Sequence, residues 1–183
     1  IIFQRLKMYA AAIEDYSIVL SQQPDLDVKI YIYRAQCFFE VQNYSSTIVD
    51  TTLVLTREPA HEFALYLRGL AFQTSNRLQE AYADYNECIR KNTQISAVYY
   101  HRALIYQAWD KHDNAYADYL TAIRINPQDA GSYNNLGVIC LRAGRPRDAL
   151  NYFNLSVKFA PDVSGGFVNR GNAHSALGDY ASS

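Results

Sequence analysis

An all-α fold, an α-solenoid of antiparallel helix-turn-helix repeats, is predicted by three observations on this 183-residue chain. Ala35, Gly69, Ala103, Gly137 and Gly171 place a small residue every 34 positions. A fixed period of that length marks stacked copies of one supersecondary unit. Other residue types return at constant offsets from this column. Tyr31, Leu65, Tyr99, Tyr133 and Phe167 stand four before it, and Phe38, Phe72 and Tyr106 three after, with Cys140 and His174 departing. Twelve after it comes Ala81, Ala115 or Ala149, then Tyr85, Tyr119 or Phe153 four later, and Pro59, Pro127 or Pro161 closes the copy. Thr47, Thr51 and Thr93 break these columns.

The elements follow in order. Residues 1–27 read as the second helix of a partial copy, with Phe3, Ala12, Tyr16, Val19 and Pro24 in the template positions and Asp27 as one extra spacer residue. Residues 28–61, 62–95, 96–129 and 130–163 are full copies, and 164–183 is a partial one. Both ends fall inside a copy, so a longer parent chain is expected. In each first helix the columns share one face, as 31, 34, 35 and 38 do at 3.6 residues per turn. A small residue on that face lets the second helix approach, where Ala81, Tyr85 and Cys88 repeat the spacing. Asn76, Asp110, Gly144 and Gly178 mark the turns between the helices, because these types tolerate left-handed backbone. Gln42 fits that role less well. Prolines at 59, 127 and 161 stop the second helices, and Thr93 suggests a softer stop.

Comparing the copies exposes a further pattern. Arg34, Arg68 and Arg102 are each followed sixteen residues later by Asp50, Asp84 and Asp118, and in the next copy both members change together to Leu136 and Tyr152. Counted outward from the turn, the two positions stand at the same height of the hairpin. An Arg–Asp pair inside three hairpins, exchanged once for an apolar pair, is therefore expected.

These columns resemble the tetratricopeptide repeat family, whose unit carries W-x2-L-G-x2-Y, A-x3-F and A-x4-P type spacing. Tyr133, Leu136, Gly137, Ala149, Phe153 and Pro161 form the best copy, which departs at Cys140 and Ser156. The resemblance implies a right-handed superhelix with a concave face lined by first helices, and protein or peptide partners held there. On that face stand Tyr33 and Gln36; Tyr66, Leu70 and Gln73; Tyr100, His101, Leu104 and Gln107; Asn134, Asn135, Val138 and Arg142; and Asn169 and Asn172. Family members that clamp a terminal carboxylate use Lys, Arg and Asn at places that here offer Ile32, Leu67, Tyr100 and His101, which argues against that use. Asn135 and Asn169 lie one period apart and resemble the asparagine ladder by which some members grip a peptide backbone, since an amide both donates and accepts. Tyr66 and Tyr100 are the first choices for partner contact in the front half. The same rings would equally pack on the next repeat, and sequence alone does not separate the two roles.

Composition narrows the function. Hydrophobic residues make up 49% and charged ones 19%, ample for a continuous core. A net charge of −1 gives no electrostatic reason to expect nucleic acid. No apolar run approaches the roughly 20 residues of a membrane span, and no signal-peptide pattern opens the chain. Cys37, Cys88 and Cys140 have no metal-binding spacing and read as reduced thiols, which points to a cytoplasmic, reducing compartment. Asn43-Tyr44-Ser45 and Asn154-Leu155-Ser156 match a glycosylation acceptor by chance on that reading. His61, His101, His112 and His174 are dispersed, and no nucleophile elbow, phosphate loop or metalloprotease motif occurs. No cofactor, metal or catalysis is expected. The sequence thus reads as a non-catalytic protein-interaction scaffold. The alternatives are a structural subunit of a large multi-subunit assembly, such as a ciliary or transport complex, and the targeting arm of an enzyme whose catalytic domain is encoded elsewhere.

Overall fold

In the computed structural model, residues 2–23 and 27–178 are described, with side chains from residue 5 onward. The expectation at Pro24 lies outside the described residues, as does the end of the last copy, and that at Phe3 concerns a side chain outside the described ones. Ten α-helices are present among the described residues: α1 Ile2–Gln22, α2 Val28–Glu40, α3 Tyr44–Arg57, α4 Glu62–Thr74, α5 Leu78–Arg90, α6 Ser96–Ala108, α7 His112–Ile125, α8 Ala130–Arg142, α9 Pro146–Phe159 and α10 Ser164–Ala176. They form two compact units, residues 1–93 and 94–183. In each, consecutive helices pack on one another.

The hairpins form because a side chain on one helix fits a gap on its partner. In the first unit a Cβ added to Gly69 would come 2.5 Å from Cε1 of Tyr85, and in the second one added to Gly137 would come 2.5 Å from Cε1 of Phe153. Glycine therefore admits the ring of the second helix where no side chain fits. Tyr85, Tyr119 and Phe153 are fully buried, with Ala81, Ala115 and Ala149 beside them on the same helices. The A-x3-aromatic column and the small residues Ala35, Gly69, Ala103 and Gly137 are the core, whereas Gly171 is half-buried with nothing within 4 Å of a Cβ placed on it.

Each hairpin tip is closed by main chain. Gln42, Asn76, Asp110 and Gly144 have φ of 61°, 58°, 55° and 69°. The 77 N–H donates to Phe72 O at 2.8 Å and the 76 N–H to Gln73 O at 3.0 Å, a Schellman pattern repeated at the other three tips. Gln42 adopts the left-handed conformation despite its Cβ. At Thr93, where proline is missing, Asn92 takes φ 58° and the Thr93 N–H caps Cys88 O at 3.3 Å. The stop there is a left-handed cap, and Thr93 itself is buried.

The Arg–Asp expectation is met in all three copies. Nε of Arg34, Arg68 and Arg102 donates to Oδ2 of Asp50, Asp84 and Asp118 at 2.8, 2.8 and 2.7 Å, and Nη2 donates to Oδ1 at 2.7 Å in each. These are two-point charge-assisted pairs. The guanidinium also lies over the ring one turn on: Phe38 at 5.7 Å, Phe72 at 5.7 Å and Tyr106 at 5.5 Å. Arg34 and Arg68 reach back to the preceding hairpin through hydroxyls, Ser17 Oγ at 3.1 Å and Thr52 Oγ1 at 3.2 Å. In residues 130–163 Leu136 is fully buried instead, and the Tyr152 hydroxyl meets that of Tyr116 at 3.0 Å.

One register detail differs from the sequence reading. Val19 is 40% exposed and Leu20 is buried at 5%. The inward face of α1 is therefore set one residue later than the shifted template placed it.

Candidate functional site

The first helices present the residues left over by packing, and each unit is described separately. In residues 1–93, Tyr33 on α2 is 46% exposed, with its ring 6.2 Å from that of Tyr16 on α1. Tyr66 on α4 is half-buried, pairs with the Phe63 ring at 6.1 Å, and has its phenol pushed up by burial. Tyr33 and Tyr66 thus sit in separate ring pairs.

In residues 94–183 the expected residues gather around α6, α8 and α10. Tyr100 stands 5.8 Å from Tyr119, edge-on to His101 at 5.2 Å, and so close to Gly131 of α8 that a Cβ there would come 3.1 Å from the tyrosine ring. This ring therefore packs on the next hairpin. Burial holds the His101 imidazole down at about 4 against the pull of Asp129, and pushes the phenols of Tyr100 and Tyr119 up. His101 is accordingly neutral near pH 7. Asp129 also caps α8, accepting from the Ser132 N–H at 3.2 Å and the Ser132 hydroxyl at 2.7 Å.

The asparagines are tied into this framework. Nδ2 of Asn135 donates to the Tyr119 hydroxyl at 3.1 Å, and that hydroxyl donates to Oε1 of Gln107 at 2.5 Å. Nδ2 of Asn169 donates to Oδ1 of Asn134 at 2.8 Å, joining α10 to α8. Both residues expected as ladder rungs therefore use one amide donor inside the protein. Asn172, one turn beyond Asn169, is exposed. Arg142 is exposed at the far end of α8 and lines a cleft that contains none of the asparagines.

Gln73 and Gln107, read from sequence as lining residues, serve the core. The buried Tyr85 and Tyr119 hydroxyls donate to them, at 2.9 and 2.5 Å. The signal was available: both pairs are twelve residues apart, and the next copy changes both members together, to Leu141 and Phe153. The role of Asp129 beside His101 had no such signal, because it depends on the loop between hairpins.

Among the described residues, no group of three or more His, Cys, Asp or Glu is gathered as a metal site, and no helix is long and apolar enough to cross a membrane. Cys37, Cys88 and Cys140 are free thiols.

Comparisons with known proteins complete this picture. Models described as tetratricopeptide repeat match residues 64–91, 96–129 and 118–151. A comparison with curated protein sequences gives no match. Among solved structures, PilW, described as a widely conserved type IV pilus biogenesis factor, has a TM-score of 0.81 at 16% identity over 98% of this chain and 83% of its own. MamA has a TM-score of 0.75 at 22% identity, covering 84% and 89%. YrrB, described as a TPR protein with an unusual peptide-binding site, has 0.74 at 16%, covering 91% and 86%. At these identities the likeness is one of fold. Matched repeats, glycine-admitted rings and tips closed at left-handed residues converge, and the chain belongs to the tetratricopeptide repeat family.

Proposed function

We propose that this protein is a non-catalytic scaffold that binds a peptide or partner segment on the exposed faces of its first helices. The observation that carries this reading is the side-chain chemistry left over once the hairpins are packed. Amides at Asn134, Asn135, Asn169 and Asn172 and the 46%-exposed ring of Tyr33 lie on those faces. Asn135 and Asn169 each have one amide donor engaged, which holds their side chains in fixed rotamers with carbonyl oxygens left to accept from a peptide N–H. Such a face reads main chain more than side chain.

A structural-subunit role, as in a ciliary or transport complex, is the second reading, and one observation favours it. Val49 on α3 is 64% exposed beside Ile48 and Leu53, an apolar strip away from the first helices. Three free thiols, two of them buried, support placement in a reducing cytoplasmic or ciliary compartment.

The test is selection of extended peptides from a random display library against the whole chain, followed by affinity measurement with Asn135→Ala/Asn169→Ala. Loss of at least about tenfold supports the first-helix reading. Unchanged affinity of every selected peptide removes it.

A further inference from the structure

α1 packs on α2 of the following repeat, and α10 packs on α9 and α8 of the preceding one, so each is half of a hairpin. What this leaves open on α10 shows column by column. A Cβ added to Gly69 or Gly137 meets the ring of the partner helix, but one added to Gly171 meets nothing within 4 Å. Phe167 is 42% exposed, whereas Tyr31 and Leu65 in the same column are buried. Arg170 stands in the column of Arg34, Arg68 and Arg102 and is posed like them. Its guanidinium lies over the Phe167 ring at 5.2 Å, as that of Arg34 lies over Tyr31 at 5.7 Å. Its Nη1 donates to Oδ1 of Asn154 on the preceding hairpin at 3.3 Å, as those of Arg34 and Arg68 donate to Ser17 and Thr52. The edge formed by Nε and Nη2, which takes a carboxylate in three repeats, takes none here among the described residues.

The complementary half is α1. Ala12, Asp15 and Tyr16 repeat the spacing of Ala81, Asp84 and Tyr85 and of Ala115, Asp118 and Tyr119. Those six residues are buried, but Ala12 and Tyr16 are half-buried and Asp15 is exposed, with no ion pair among the described residues. Tyr119 touches Tyr100 of its own hairpin and Asn135 of the next. Tyr16 has in Tyr33 the counterpart of the second contact, and its other side waits for the first. Glu14, the neighbouring acid, falls in the outward column of the 64%-exposed Val49 and does not compete with Asp15.

We propose that α1 of a second molecule of this chain docks antiparallel on α10 and completes its hairpin. The Asp15 carboxylate meets Nε and Nη2 of Arg170, a two-point pair, and the Tyr16 ring lies over Gly171. Charge selects this helix over the others, because the aspartates of α3, α5 and α7 are already taken by their own arginines. The two surfaces differ, so the contact is head-to-tail, and each molecule offers both halves. A single helix pair lies at the low end of interface sizes, so association should be weak and rise with concentration. This contact is separate from the asparagine face and does not depend on what binds there.

The test is sedimentation equilibrium of the whole chain from about 5 to about 500 µM, a range that brackets a weak contact. The average mass should climb with concentration above the 20.8 kDa of one molecule. Asp15→Arg or Arg170→Asp alone should weaken association at least about thirtyfold, the loss expected when one partner of a desolvated charge pair is removed across an interface. Neither charge has an ion pair within one molecule, so the melting curve of the dilute chain should not change. Mixed in equal amounts, the two variants should associate again, since Arg170 of the first then faces Asp15 of the second. Gly171→Leu, which starts from open space at Cβ, should fill the ring slot and abolish association with the fold intact. A chain that stays monomeric throughout leaves the α10 face to some other helix and overturns the proposal. Single variants that associate like wild type, or a mixture no better than its components, would overturn it equally.

Discussion

Removing one member of an Arg–Asp pair should cost far more than removing both. Asp84 has 7% of its side chain exposed and Arg68 21%, and their two hydrogen bonds measure 2.7 and 2.8 Å. Burial pushes the Asp84 carboxyl up more strongly than the Arg68 guanidinium pulls it down, so desolvation takes back much of what the attraction contributes. The pair as a whole should add little net stability. Each single replacement, Asp84→Ala or Arg68→Leu, strands the other charge in the hairpin and should cost about 3–5 kcal/mol. In a domain of this size that lowers the melting midpoint by about 6–20 °C. The double variant should recover at least about 2 kcal/mol of the summed cost, because residues 130–163 fold with Leu136 and Tyr152 in the same places. The assay is urea denaturation followed by circular dichroism at 222 nm for all four chains. Additive costs, or singles within about 1 kcal/mol of wild type as for exposed pairs, would refute the reasoning.

Other perturbations separate the remaining contacts. Gly137→Ala drives a methyl to 2.5 Å from the Phe153 ring and should cost about 1–3 kcal/mol. Gly171→Ala, with nothing within 4 Å, should be neutral or stabilising by up to about 1 kcal/mol in the same thermal melt. Gln42→Gly relieves a left-handed residue bearing a Cβ and should raise stability by a few tenths to about 1 kcal/mol, read from the urea midpoint. His101 has a folded value of about 4, below its ordinary 6.5, so the unfolded chain binds the proton first. Its contribution is whole above pH 6.5 and is lost as pH falls toward 4, by up to roughly 3 kcal/mol. His101→Leu should flatten that part of the stability-pH curve. Cys88, fully buried with its thiol pushed up to about 12, should resist iodoacetamide at pH 8 while the half-buried Cys37 reacts.

The fold was legible wherever a residue's role repeats. Gly69 and Gly137 admit a ring, Arg34, Arg68 and Arg102 find a carboxylate sixteen residues on, and Asn76 and Asp110 turn the chain, each at a constant offset. Comparison of copies isolates such positions because the same contact is printed in the sequence several times. The candidate site was read less well for the complementary reason. Asn134 bonds Asn169 rather than the column-mate of either, and Tyr100 meets Gly131, contacts made once and fixed by rotamers and loop geometry. Gln73 and Gln107 look like lining residues from helical position alone, yet a buried tyrosine hydroxyl claims each of them.

The ion pairs have a consequence for how such a chain changes length over generations. Both charges of each of the three pairs lie within one 34-residue segment, and the bonds by which Arg34 and Arg68 reach the preceding hairpin go to neutral hydroxyls. A segment is thus a self-balanced cassette: duplicating or deleting it adds or removes cation and anion together, leaving no stranded charge at the new junction.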